Sequence, residues 1–419
     1  MKQLPLAHEL PYRFYEPRLS RALMWAGRFH LEATLRDPYR IEQLDVAGLE
    51  HVAPLLARGD GVLLAPNHSD HADCYVMFEL SRRLGIPFYY MAAFQIFTGK
   101  NRWILPRIGV FPVDREGTDL RAFKTGVSIL GTGRNPLVIF PEGEIYHLGE
   151  RLTPLREGAV AVAAAAAKKR VEAGKTVWVV PVALKYRFLD NADPLPSLLS
   201  LLDRLESRFT WWPDSGGCPI RRIYRFAEGM LGLKEFEYLG TSQQGTLKER
   251  IAGLTGTILG RIEQRHVGKV REDTVPVRVK ELRRSCLERL ANPATPPDEA
   301  RQLRRDLHDL FMAMQSFSYP GDYVRESPTL ERVAETLMKF DEDFLGVAES
   351  HPHAARRAVV RLGEPIDVRE RLAAPGKSRV AVAALTTELE TKMQSLLDTI
   401  PPGRLIETQQ PASTPVPVS

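Results

Sequence analysis

Val62-Leu63-Leu64-Ala65-Pro66-Asn67-His68-Ser69-Asp70-His71-Ala72-Asp73 is the stretch that decides how this chain reads. Four apolar residues follow the turn signal Gly59-Asp60-Gly61 and form a short buried strand, and a helix is expected from Asp73 to Leu84. The strand therefore delivers Asn67 and His68 at its C-terminal end. Further apolar runs at Phe88 to Met91, Val110 to Val113, Leu137 to Phe140 and Val177 to Leu184 alternate with helical stretches, notably Leu120 to Leu130 and Gly158 to Ala173. Strands alternating with helices predict an α/β domain with a largely parallel sheet flanked by helices. Sites in such sheets gather at the C-terminal ends of strands.

Working outward, the chain divides into an amphipathic N-terminal helix segment (1–36), the α/β core (37–190), a helical insertion (191–355), a closing strand and helix of the core (356–400) and a tail (401–419). In the first segment Pro17 to Arg36 reads as a helix, with Pro17 in its first turn. Leu19, Ala22, Leu23, Trp25, Ala26, Phe29 and Ala33 share its apolar side, flanked by Arg18, Arg21, Arg28 and Arg36. Such a helix either packs on its own core or lies in a membrane interface with Trp25 and Phe29 entering lipid. In the insertion, Leu195 to Phe209, Leu247 to Val267, Arg278 to Leu290, Pro297 to Ser316 and Pro328 to Glu349 read as helices, the last opened by Ser327-Pro328. Ala358 to Ile366 returns to a strand pattern, Val380 to Leu397 to a helix, and the Pro-, Ser-, Thr- and Gln-rich end from Pro401 is expected to be disordered.

The composition narrows the function classes. With 419 residues, 44% hydrophobic and 26% charged, the chain is an ordinary globular protein. A net charge of +5 suits an anionic membrane surface or phosphorylated ligands. Nucleic acid is not expected as a partner, because no basic run or nucleic-acid motif is present. Three cysteines, Cys74, Cys218 and Cys286, without a C-x-x-C pair argue against a disulfide scaffold and for a reducing cytosol. Met1-Lys2-Gln3-Leu4-Pro5 lacks the apolar stretch of a signal peptide, and Ala159 to Ala167 and Val177 to Leu184 are too short to cross a bilayer. If the protein meets a membrane, it lies on it.

His68 and Asp73 stand at the H-x4-D spacing. A neutral imidazole can take a proton from a hydroxyl, and a carboxylate can hold its tautomer. With His68 in the turn, Asp73 on the first helical turn can reach back to it, and exposed amides there would favour an anion. The plain alternatives are a satisfied polar histidine and a capping aspartate. The cluster of His68, Asp70, His71 and Asp73 also invites a metal reading, but neither H-E-x-x-H nor H-x-H-x-D-H occurs, and no metal is expected. There is no G-x-S-x-G nucleophile, and Lys169 stands where Gly174-Lys175-Thr176 would need the first glycine of a phosphate loop.

Four ordered blocks resemble the glycerolipid acyltransferase family (PlsC-like 1-acylglycerol-3-phosphate and lysophospholipid acyltransferases): Asn67 to Asp73, Gly109 to Arg115, Val138 to Gly143 with its Phe140-Pro141-Glu142-Gly143, and Val179 to Ala183. Leu155-Arg156-Glu157-Gly158-Ala159 resembles the family's K-x-G-A segment, Gln43 to Glu50 its opening strand and Val360 to Ile366 its closing segment. The resemblance covers about Ile41 to Tyr186 and the return near Ala358 to Leu397. It implies that His68 is the general base, that Asp73 orients it, that Arg115 binds the acceptor's phosphate, and that Glu142 and Gly143 contact the acceptor or shape its site. It further implies an acyl thioester donor (acyl-CoA or acyl carrier protein) as co-substrate, a lysophospholipid acceptor, no separate cofactor, and a cytoplasmic enzyme peripheral at the inner face of the membrane. Backbone amides are expected to stabilise the oxyanion. Two features depart from the family pattern. Glu144-Ile145-Tyr146 replaces the usual Thr-Arg-Ser, removing a second phosphate-binding arginine, and the insertion interrupts the core before its closing strand. An acyltransferase for another lipid acceptor, a non-catalytic membrane protein of the same fold and a metal-dependent hydrolase are the rival readings. The sequence leaves the oligomeric state open.

Overall fold

Along the first quoted strand the side chains part by alternation. Val62 and Leu64 enter one apolar core and Leu63 and Ala65 another, as the period of two in a strand requires. A strand apolar on both faces needs a covering layer on each side. The computed structural model describes residues 12–406 apart from 116, 118, 171–173, 210–216 and 374–377, and shows that arrangement. The first eleven residues, the last three of the helix expected to Ala173, and the tail from residue 407 lie outside the described residues.

The core runs α1 (Arg21–Arg36), β1 (Ile41–Ala47), α2 (Ala53–Ala57), β2 (Gly61–Pro66), α3 (Asp73–Leu84), β3 (Tyr89–Ala93), α4 (Asn101–Arg107), β4 (Val110–Val113), α5 (Leu120–Thr132), β5 (Leu137–Val138), α6 (Gly158–Arg170) and β6 (Val177–Phe188). Among the described residues seven helices follow: α7 (Leu195–Phe209), α8 (Pro219–Leu239), α9 (Leu247–His266), α10 (Val275–Leu290), α11 (Pro297–Phe317), α12 (Tyr323–Glu326) and α13 (Leu330–Leu345). The chain then returns as β7 (Arg356–Leu362), β8 (Ile366–Asp367), α14 (Val368–Leu372) and α15 (Ser378–Asp398).

The eight strands of the described residues form one sheet, ordered β1-β7-β6-β2-β5-β3-β4, with β8 on the end of β6. Every pairing is parallel except β6 with β7 and with β8, so the expected α/β class holds. Helices α5, α6 and α15 contribute to one apolar core, and α1 and α3 to the other. The closing strand β7 is not an edge. It lies between β1 and β6, antiparallel to the strand after which the insertion departs. The insertion thus leaves and re-enters the sheet through neighbouring strands, and its helices share a core of their own around Leu202, Phe226, Leu259 and Leu307.

Several boundaries differ from expectation for local reasons. α1 begins at Arg21, because the Ser20 hydroxyl accepts from Leu23 N and Leu19 is bridged to Ile108. α13 is capped by Thr329, whose side chain accepts from Arg332 N, rather than opened by Ser327-Pro328, and it ends at Gly346 in the left-handed conformation. α8 has no counterpart in the sequence reading. Its buried face includes Arg222 and Glu235, whose charges interrupt the apolar pattern and are met by Glu206 and Arg250. Residues 401–406, expected to belong to the disordered tail, are ordered. Leu405 is bridged to Thr329, and Arg404 N donates to Glu331, so residues 401–406 are held against α13.

Candidate active site

β2 ends at Pro66, paired with Val182 of β6. Asn67 extends this ladder with its side chain: its amide nitrogen donates to Leu184 O at 3.0 Å, and Leu184 N donates to its amide oxygen at 2.6 Å. That pair of bonds sets where His68 leaves the sheet. The next turn closes on Asp73, at the start of α3. One oxygen of the fully buried Asp73 carboxylate accepts from Ser69 N at 2.7 Å and Asp70 N at 2.9 Å and lies 3.0 Å from His68 Nδ1. Its other oxygen accepts from the Tyr186 hydroxyl at 2.7 Å. A carboxylate held by so many donors stays in place, and it selects the tautomer with hydrogen on Nδ1. The ring also stacks on Phe140, with centroids 4.2 Å apart. His68 lines a cleft of about 2600 Å³, and with Nδ1 occupied, Nε2 is the nitrogen left to accept a proton there.

The structure therefore brings His68 and Asp73 together. It does not provide the anion site expected at the start of α3. The Ser69 and Asp70 amides donate to Asp73, and Ala72 N donates to Asp70 at 2.8 Å. The ligand-type cluster is dispersed in the same way. Asp70 forms a buried pair with Arg356 of β7 at 2.6 and 3.1 Å. Burial alone would push the Asp70 carboxyl up, but the adjoining guanidinium outweighs it and holds the carboxyl below its usual range.

Glu142 and Gly143 divide the work of their turn. The Glu142 carboxylate is turned inward and buried. One oxygen accepts from His68 N at 2.7 Å, the other from Thr153 N at 3.0 Å and the Thr153 hydroxyl at 2.6 Å. Burial pushes its carboxyl up to about 7 against the pull of those donors. Glu142 is thus placed to shape the turn that carries His68, whereas Gly143 lines the cleft. Gly143 has φ of +78°, and an added Cβ would lie 2.7 Å from Arg156 Nε. Gly143→Ala meets both obstacles, so a loss of about 1–3 kcal/mol in denaturant unfolding, with weakened activity, is the expected result.

Arg115 lies on the cleft wall, hydrogen-bonded to Gly143 O and paired with Glu144 at 2.9 Å. No second arginine directly follows Phe140-Pro141-Glu142-Gly143 in the sequence, yet the fold brings one in. Arg156 N donates to Pro141 O at 2.9 Å, which folds the K-x-G-A-like segment back over the turn. The Arg156 guanidinium then lies 4.0 Å from Glu144, and its buried Nε has no hydrogen-bond partner among the described residues. The position of Arg156 two residues before Gly158 was the signal available in the sequence. Cys74 also lines the cleft, but burial pushes its thiol up to about 12, which makes it a poor nucleophile.

Residues 43–185, the stretch holding His68, Asp73, Arg115, Glu142 and Arg156, match the family model described as Acyltransferase. No curated protein matches the chain.

Proposed function

We propose, on the premise that residues 43–185 form a domain of the acyltransferase family, that the cleft transfers a fatty acyl group from an acyl thioester to the hydroxyl of a lysophospholipid, 1-acylglycerol 3-phosphate by default. The observation that carries this reading is the His68 ring, held at Nδ1 by Asp73 with Nε2 left for the cleft. Nε2 takes the hydroxyl proton as the oxygen attacks the thioester carbonyl. The C–S bond then breaks, and the departing thiolate takes the proton back from the imidazolium. The thiol leaves readily, so no separate strong acid is required. The apolar cleft residues Val113, Phe123, Ile139 and Val162 suit an acyl chain.

Arg115 and Arg156 are the cations available to an acceptor phosphate, and Glu144 between them is the group such a phosphate would displace. The same Glu144 favours the rival acceptor, a phosphate-free lipid alcohol. Competition between lysophosphatidate and monoacylglycerol tests the choice. The proposal expects lysophosphatidate to win and Arg115→Ala to raise its KM with a smaller effect on kcat, whereas preferential use of monoacylglycerol would establish the rival acceptor.

A peripheral position on the cytoplasmic face of a membrane fits the mouth of the cleft. No helix of the described residues is long and apolar enough to cross a membrane. Leu31 and Leu35 of α1 pack inward, while Trp25 and Phe29 are 62% and 58% exposed, with the Arg28 guanidinium 4.5 Å from each ring centroid. Trp103 of α4 is likewise exposed, and Trp25, Arg28 and Lys100 line the cleft. Aromatic rings beside cations suit a headgroup interface. Sedimentation with anionic liposomes is expected to fall several-fold in Trp25→Ala/Phe29→Ala; equal sedimentation removes α1 as the anchor.

A further inference from the structure

His71 belongs to the same turn as His68, yet its partner comes from the insertion. Its Nε2 lies 3.1 Å from one oxygen of Glu342 on α13, and the other oxygen lies 3.0 Å from Nε2 of His147. One ligand atom from each of the three residues falls within 4.8 Å of the other two. The contributing segments are far apart in sequence: the turn before α3, the loop after Gly143, and α13. We propose that His71, His147 and Glu342 form a binding site for a divalent transition-metal ion, zinc by its donor set, which ties the insertion to the two loops that frame His68.

Two imidazole nitrogens and a carboxylate are a donor set that zinc accepts, with water completing the shell. With bonds of about 2.0–2.1 Å, tetrahedral ligand atoms stand roughly 3.3–3.4 Å apart; the imidazole–carboxylate distances here, 3.1 and 3.0 Å, run to different oxygens of Glu342, and the three candidate ligand atoms lie within 4.8 Å of one another, so a bound ion would draw them closer. Such spacings also describe hydrogen bonds, so the surroundings must decide. None of these donor atoms is paired with a guanidinium or ammonium among the described residues. The charged groups that bear on His71 are the carboxylates of Glu342, Glu349 and Asp70. Glu349 lines the adjoining cleft and has a buried oxygen without a hydrogen-bond partner among the described residues, the feature of a further ligand or of an acceptor for metal-bound water. Backbone geometry adds to this. His147 is buried and has φ of +53°; the only other non-glycine with positive φ among the described residues is Arg40. Such conformations cost energy and concentrate at functional sites.

A second cluster shows what a cation would avoid. His266, Cys286 and Asp306 also gather within ligand range. There, however, Arg289 contacts His266 Nδ1 at 2.7 Å and Arg265 pairs with Asp306, and burial pushes the Cys286 thiol up to about 11. Positive charge already occupies that cluster, which makes it an internal control.

The test uses the untagged full chain, stripped with chelator and titrated with Co²⁺. The proposal expects a visible d–d band that saturates at a single ion per chain, displacement of that band by Zn²⁺, and a higher melting temperature in Zn²⁺. His147→Ala and Glu342→Gln are each expected to weaken binding by roughly tenfold or more, and His266→Ala to leave it unchanged. Absence of saturable binding by the wild type overturns the site. So does binding that survives intact in both ligand variants, folded by circular dichroism. None of these readouts depends on acyl transfer.

Discussion

His68→Ala is expected to slow acyl transfer by roughly 10²–10⁴-fold, the contribution typical of a positioned general base, while the protein unfolds at nearly the same temperature. Both halves follow from the geometry. The ring is part-buried on the cleft wall, makes one hydrogen bond, to Asp73, and stacks on Phe140. When it is removed, Asp73 keeps the amides of Ser69 and Asp70 and the Tyr186 hydroxyl, so no buried charge is orphaned. Activity and stability therefore separate in this variant. Steady-state kinetics beside thermal unfolding reads both quantities, and a rate within a few-fold of wild type would remove His68 as the base.

Arg356→Ala is expected to do the reverse, costing about 3–5 kcal/mol of folding free energy. Arg356 leaves β7 to meet Asp70, both groups buried, and its Nε donates to Tyr39 O at 2.9 Å. Its guanidinium lies 4.2 Å from the Tyr186 ring centroid. Truncation would leave the Asp70 carboxylate buried without its counter-ion and remove the support beneath the tyrosine that holds Asp73. Removing both charges in Asp70→Asn/Arg356→Met is expected to cost less than Arg356→Ala alone, because no unpaired charge is then buried. Urea unfolding of the three proteins checks this, and equal stability of Arg356→Ala and wild type would contradict it.

Local pattern made much of this legible. The runs at Val110 to Val113 and Asp73 to Leu84 became β4 and α3 with the expected bounds. The H-x4-D spacing put the contact of His68 with Asp73 within reach, because a residue on the first helical turn can fold back to the turn before it. What escaped depends on distant partners. Nothing local shows that β7 lies between β1 and β6, or that Arg356 of that strand neutralises Asp70, which sits within the motif. The Glu142 carboxylate, expected to contact or shape an acceptor site, is taken up by Thr153 and His68 N, partners that its place in the motif does not reveal. The amides expected to favour an anion at the start of α3 donate instead to Asp73, whose chemistry as an acceptor of N–H groups applies as readily to its own turn as to His68. α8 was missed because its buried arginine and glutamate read as surface residues until their partners across the insertion are known.

The measurement that tests the central claim most directly is thiol release from palmitoyl-CoA by the purified wild-type chain, with and without lysophosphatidate, with the lipid product identified by mass. Release that depends on the acceptor and matches phosphatidate formed is the predicted result. Failure to release thiol from acyl-CoA or acyl carrier protein, with lysophosphatidate or any of a panel of lipid hydroxyl acceptors, would contradict the proposal that this cleft performs acyl transfer.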